Sequence, residues 1–189
     1  MKRINLLPGG VQVSRDPEVV ISTLLGSCVA ACLYDSRAGV FGMNHFLLAS
    51  RSGRHYQPLT SEAGRYGVHA MELLINELLK AGADRSRLQA KVFGGANVLA
   101  NAGGVFAVGD VNARFVLAFL KEESIPVVAS DLGGRNGRQL RFQGQDYAVY
   151  VKLLGVEQRR DIVADEARYL DQKLAEQTVQ KGKVVFFDD

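Results

Sequence analysis

Thr23–Leu48 reads TLLGSCVAACLYDSRAGVFGMNHFLL, and the rest of the chain has to fold around it. A cysteine just past a Gly-Ser pair, Cys28, precedes a histidine in an apolar run, His45, by 17 positions. Asp35, Ser36 and Gly39 between them are turn residues. Val29–Tyr34 and Val40–Leu48 therefore read as the two strands of a hairpin. With Tyr34 opposite Gly39 or Val40, Cys28 falls opposite His45 or Phe46. Directly opposed side chains have Cβ atoms about 4.5–5.5 Å apart, which is thiol–imidazole range. A slip of one residue would turn His45 to the other face. Alternation along the second strand puts Phe41, Met43, His45 and Leu47 on one side.

A free thiol has a pKa of about 8.5 and is mostly protonated at neutral pH. An adjacent imidazole can take that proton and leave a strong nucleophile. The apolar face around His45 thins water and strengthens electrostatics. Gly26 and Ser27 form a tight turn whose backbone N–H groups, with those up to Val29, can stabilise an oxyanion. The same residues also fit a packing role. Buried cysteines are commonly small hydrophobes, and a histidine on an apolar strand face is commonly a hydrogen-bonded core residue.

The motifs LGSCVAACLYD (Leu25–Asp35) and GMNHFLL (Gly42–Leu48) resemble the signature of the CheD family of chemoreceptor glutamine deamidases. The likeness continues, in order, through KVFGGANVL (Lys91–Leu99), VGDVNARFVLAFLKEESIPVVASDLGG (Val108–Gly134) and GRQLRF (Gly137–Phe142). The resemblance implies a cysteine hydrolase that converts receptor glutamines to glutamates. Cys28 matches the family nucleophile and His45 its histidine. The family's third residue, a threonine six positions before the cysteine, falls on Ser22, with Thr23 next to it. The catalytic set implied is thus Cys28, His45 and Ser22, with Thr23 as the alternative hydroxyl. Ser27, Val29, Thr23, Gly94 and Gly95 are the oxyanion or substrate-lining candidates. The resemblance also implies the layered sandwich of other cysteine deamidases, including the cytotoxic necrotizing factors. Its partners would be chemoreceptor cytoplasmic helices and a CheC-type phosphatase. No metal or organic cofactor is needed. Two rivals use the same residues. One is hydrolysis of methyl esters or peptide bonds, and the other is an adaptor that binds receptor helices or the phosphatase without turnover.

At 189 residues, 47% hydrophobic and 23% charged, the chain has the make-up of a globular domain with a substantial core. A net charge of +3 is too mild for a nucleic-acid surface, and no stretch interleaves basic and aromatic residues. Cys28 and Cys32, the only cysteines, make neither a zinc site nor a disulfide framework, which fits a reducing compartment. The apolar run before Pro8-Gly9-Gly10 is too short for a signal peptide, and no run is long enough to span a bilayer. The expectation is a cytoplasmic protein with no membrane insertion.

Along the chain, Val11–Ser14 and Val19–Ser22 read as strands around an Asp16-Pro17 turn. Residues 50–65, with His55, read as a polar loop. Tyr66–Ala81 carries Val68, Met71, Ile75, Leu78 and Leu79 at helical spacing, and Gly82 follows as its stop. Lys91–Phe93 reads as a strand ending in a glycine turn without the spacing of a nucleotide loop. Asn112 is placed as the cap of a helix running to Leu120, and Val127–Ser130 as a strand. Asp131–Arg138 reads as a turn with local positive charge, and its Asn136-Gly137 pair as a hairpin signal, followed by strands at Leu140–Phe142 and Tyr147–Leu153. Val163, Ala167, Leu170 and Leu174 form the apolar stripe of a charged helix over 160–181. These signals give a mixed α/β (α+β) layered sandwich with mixed sheets. Its main domain spans 1–155, and 156–189 form a C-terminal amphipathic helix and tail packed on it. No internal repeat is present.

Overall fold

The computed structural model describes residues 1–48, 62–97 and 108–155, with Ala164, Glu166, Arg168, Tyr169 and Gln172 beyond them, all five helical. The elements are β1 (Lys2–Asn5), β2 (Val11–Ser14), β3 (Val19–Leu25), β4 (Val29–Asp35), β5 (Val40–Asn44), α1 (Glu62–Lys80), β6 (Gln89–Gly94), α2 (Val108–Glu122), β7 (Val127–Leu132), β8 (Arg138–Gln143) and β9 (Val149–Leu153). They build two sheets in the orders β1-β3-β8-β9 and β2-β5-β4-β6-β7. Each mixes one parallel pair, β1 with β3 and β6 with β7, among antiparallel ones.

Strand β4 explains the layering. It lies between β5 and β6 and is buried at every position, so both of its faces need apolar cover. Val29, Ala31 and Leu33 point to one side, where Met71, Leu74, Ile75 and Leu78 of α1 and Phe115, Val116 and Phe119 of α2 meet them. Cys28, Ala30, Cys32 and Tyr34 point to the other, against Ile21, Leu25, Leu140 and Phe142 of the second sheet. The result is helices, sheet, sheet: the mixed layered sandwich expected from the sequence. Phe41 and Phe142 lock the two sheets edge to face at 5.3 Å. Phe46 does the same against Phe115 of α2, at 5.8 Å. Cys32 is fully buried between the sheets, as its place in the apolar run implied.

The β4–β5 hairpin closes one or two residues later than the sequence reading placed it. Tyr34 pairs with Phe41 and Asp35 with Val40. The reason lies in Asp35, which ends the strand with its buried carboxylate folded over the turn and accepts from Arg37 N at 3.0 Å and Ala38 N at 3.1 Å. The same carboxylate accepts from Asp84 N at 2.9 Å and from the Arg87 guanidinium at 2.8 Å. Burial pushes the Asp35 carboxyl upward, but Arg87 and these N–H groups outweigh it and hold it at about 2. A depressed carboxylate contributes stability that is complete above its unfolded pKa of about 3.9 and is lost as pH falls through the folded value. Denaturant melts between pH 5 and pH 2 should therefore show a loss of stability that Asp35→Asn removes. At neutral pH Asp35→Ala should lower stability by about 2–3 kcal/mol, below a fully buried pair because Arg87 is partly exposed.

Four other sequence readings change. β1 is an additional strand, and it pairs parallel with β3. The polar stretch ends earlier than Arg65, since α1 begins at Glu62; His55 lies outside the described residues. Asn112 sits inside α2 and does not cap it. The Asn136-Gly137 pair joins strands of different sheets; the hairpin is β8–β9, with its turn at Tyr147, whose φ is 57°. Among the described residues, no helix is long and apolar enough to cross a membrane.

Candidate active site

Cys28 stands where β3 has crossed into β4, in the short turn Gly26-Ser27-Cys28. Each backbone carbonyl of that turn is taken from behind. Gly26 O accepts from Ala96 N at 2.8 Å and Cys28 O from Gly95 N at 2.7 Å. Ser27 O accepts from the side-chain amide of Asn112, buried in α2, at 2.8 Å. With all three carbonyls held on one side, the three N–H groups face the other. They form a concave nest suited to an anion. Gly94 makes the close approach possible: its φ is +110°, and a Cβ there would lie 2.2 Å from Cys28 O. Gly95, at φ +65°, is pressed in the same way against Gly109 O. Both glycines are buried behind the turn and support it.

The histidine comes from the continuation of β5. Val29 and Phe46 exchange both backbone hydrogen bonds at 3.0 Å, which extends the β4–β5 register past the strand ends. On that register Ala30 faces His45 and Cys28 faces Leu47, so Cys28 and His45 are diagonal neighbours on the face between the sheets. Asn112 also fixes their relation, since its Oδ1 accepts from Leu48 N at 2.8 Å while its amide holds Ser27. Sequence reading missed this brace because an asparagine inside a helix looks like a misplaced cap.

His45 Nδ1 lies 2.8 Å from Thr23 Oγ1, and that hydroxyl donates to Leu6 O, also at 2.8 Å. A threonine hydroxyl has one proton, so Thr23 gives it to Leu6 and accepts from Nδ1–H. This network assigns the tautomer in which Nε2 carries a bare lone pair. Nε2 is buried and has no hydrogen-bond partner among the described residues. Ser22, expected in the third role, points the other way, as neighbours on a strand must. Its hydroxyl donates to Leu140 O at 2.9 Å and accepts from Arg3. The hydroxyl at the histidine is therefore that of Thr23, the alternative weighed from the sequence.

The N–H nest is filled by a residue the sequence did not single out. The Glu166 carboxylate accepts from Gly26 N, Ser27 N and Cys28 N, each at 2.9 Å, and from Ser27 Oγ at 2.6 Å. Val29, an oxyanion candidate from the sequence, is committed elsewhere, its N–H being bonded to Phe46 O. Burial first, and the Glu166 carboxylate after it, push the Cys28 thiol well above its ordinary value. Burial lowers His45 to about 4, against the pull of Glu166 toward the cation. The pair thus rests as thiol and neutral imidazole. Arg138, at the end of the stretch read as a turn with local positive charge, is buried and bonds the carbonyls of Gly94, Asp131 and Gly133 at 2.6–2.8 Å. Among the described residues no group of three or more His, Cys, Asp and Glu side chains is arranged to hold a metal ion.

The sequence profile of the family described as CheD chemotactic sensory transduction matches residues 47–153. A Geobacter sulfurreducens protein named probable chemoreceptor glutamine deamidase CheD 1 is 50% identical over 87% of this chain and 83% of its own. A Ruegeria protein of the same name is 47% identical over 87% of each chain. A Rhizobium johnstonii protein named probable chemoreceptor glutamine deamidase CheD is 45% identical over 95% of each. A profile over more than half of the sequence and relatives 45–50% identical over most of it give one answer: the chain belongs to the CheD family.

Proposed function

We propose that this chain is a chemoreceptor glutamine deamidase, acting in the cytoplasm on receptor helices through Cys28 and His45. The observation that carries this reading is a cysteine whose own N–H closes an anion nest, beside an imidazole with one nitrogen bare. In the proposed cycle His45 Nε2 takes the Cys28 proton, and Sγ bonds to the glutamine Cδ. The developing oxyanion enters the nest of Gly26, Ser27 and Cys28 N–H groups. The imidazolium gives its proton to the departing ammonia as the C–N bond breaks. His45 then removes a proton from water, which adds to the thioester and releases glutamate and thiol. Of the C-terminal helix and tail expected over 156–189, most residues lie outside the described ones; the contacts of Glu166 and Tyr169 support a place for that stretch on the same domain.

Incubation with receptor cytoplasmic fragments should release ammonia and convert glutamines to glutamates in an uncut chain, read by mass spectrometry. Fragments left unchanged, or changed only by loss of methyl esters or by cleavage, would overturn the reading. The orienting role of Thr23 gives a finer test. Thr23→Val leaves Nδ1–H without its acceptor and should lower kcat about 10²-fold with KM little changed. Thr23→Ser, which keeps the hydroxyl, should recover most of that loss.

A further inference from the structure

We propose that Glu166 is a product analogue carried by the chain itself, seated where the carboxylate of a converted receptor glutamate sits, and displaced before each turnover. The inference rests on the deamidase reading and extends it to how the resting enzyme is held off and what kind of side chain the nest selects. Deamidation yields a glutamate carboxylate borne on a helix. Glu166 is a glutamate among helical residues, and its carboxylate meets three backbone N–H groups and one hydroxyl at 2.6–2.9 Å. Every donor of the nest is used, and with Glu166 in place Cys28 has no exposed surface. A substrate amide therefore cannot reach the thiol until this carboxylate leaves.

A second contact fixes the same segment. Tyr169, three residues on and so on the same side of a helix, is hydrogen-bonded through its hydroxyl to that of Tyr66 in α1. Its ring lies over Gly9, where a Cβ would come 2.6 Å from the Tyr169 hydroxyl. Gly9 N donates to His45 O at 2.7 Å, so Tyr169 rests on the loop that holds the histidine. In the sequence, Glu166 falls between Val163 and Ala167 of the apolar stripe and four positions before Leu170. An acid on the apolar side of a helix needs a partner when it is buried, and here the nest is that partner. The Glu166 charge also favours the protonated thiol, the inactive form of the nucleophile.

If the seat is that of the product, a glutamine placed there is a substrate. In Glu166→Gln, Cys28 Sγ should bond to the side-chain Cδ, ammonia should leave with the proton held by His45, and water should release the thioester. One water is consumed and one ammonia formed. Purified Glu166→Gln protein should then be recovered with glutamate at that position by peptide mass spectrometry. Any fraction caught unconverted should proceed at a rate independent of protein concentration. The double variant Cys28→Ala/Glu166→Gln should keep its glutamine. Separately, Glu166→Ala should convert receptor fragments about tenfold faster or more, the factor set by about 1.4 kcal/mol of competition. A Glu166→Gln protein that keeps its glutamine while converting receptor glutamines overturns the inference and leaves the deamidase reading standing. Failure to convert either takes down both. A Glu166→Ala rate equal to or below that of the parent makes Glu166 a brace for the turn and also overturns the inference.

Discussion

Cys28→Ala is expected to abolish conversion of receptor fragments, with a rate loss of about 10⁴-fold or more. The covalent path needs a sulfur to bond the amide carbon, and no neighbouring group substitutes for it. Cys32 faces the same inter-sheet space but is buried without an N–H nest beside it, and burial pushes its thiol up. The fold should survive, because removing one buried sulfur from the core lowers stability by about 1 kcal/mol. Cys28→Ala should therefore melt in one transition close to that of the parent while releasing no ammonia. His45→Ala should fall nearly as far, since without Nε2 the thiol keeps its proton at neutral pH. Ammonia release from Cys28→Ala at the parent rate would remove the cysteine from the chemistry.

Gly94→Ala should have the largest effect on the folded state. Two penalties fall on one atom: φ of +110° strains any side chain, and the new Cβ would overlap Cys28 O, which lies 2.2 Å away. Leu25 Cδ1 and the Val29 Cα, each 3.1 Å from the same point, leave no direction of escape. Gly94 pairs with Val29 in the β4–β6 ladder, so relief requires pulling those strands apart. A loss of about 4 kcal/mol or more is expected, read as a fall in the denaturant midpoint. What fold remains should have a displaced Cys28 turn and little activity. Gly39→Ala is the control. Its φ of +66° is also positive, but nothing lies within 4 Å of the added carbon, so only the backbone strain of about 1–3 kcal/mol applies.

Much of this was legible in the chain because β4 and β5 alternate so regularly. The face carrying Phe41, Met43, His45 and Leu47 followed from period two alone, and three of these residues pack in the inter-sheet core with Cys28. The hairpin register did not follow, because Asp35 looks like a turn residue yet completes the strand and closes the loop with its side chain. The third hydroxyl was misplaced for a related reason. Ser22 and Thr23 are adjacent, adjacent strand residues face opposite sides, and counting back from the cysteine does not tell which side meets the histidine. Asn112 and Glu166 escaped because their partners are backbone groups far away in sequence. Such contacts leave no periodicity to read. The one local trace was an acid on the otherwise apolar side of the C-terminal helix pattern.

Arg138 carries a consequence of its own. It belongs to the β1-β3-β8-β9 sheet, yet its guanidinium is bonded to carbonyls at Gly94, Asp131 and Gly133, all at the end of the other sheet. One of those carbonyls belongs to the glycine that lets the chain press against Cys28. The rivet between the layers and the support of the nucleophile are therefore the same structure. The amides of Gly95 and Ala96, which hold the carbonyls of the Cys28 turn, should exchange with solvent only as slowly as the sheets come apart, so damage at the seam would be felt as lost catalysis before any helix frays.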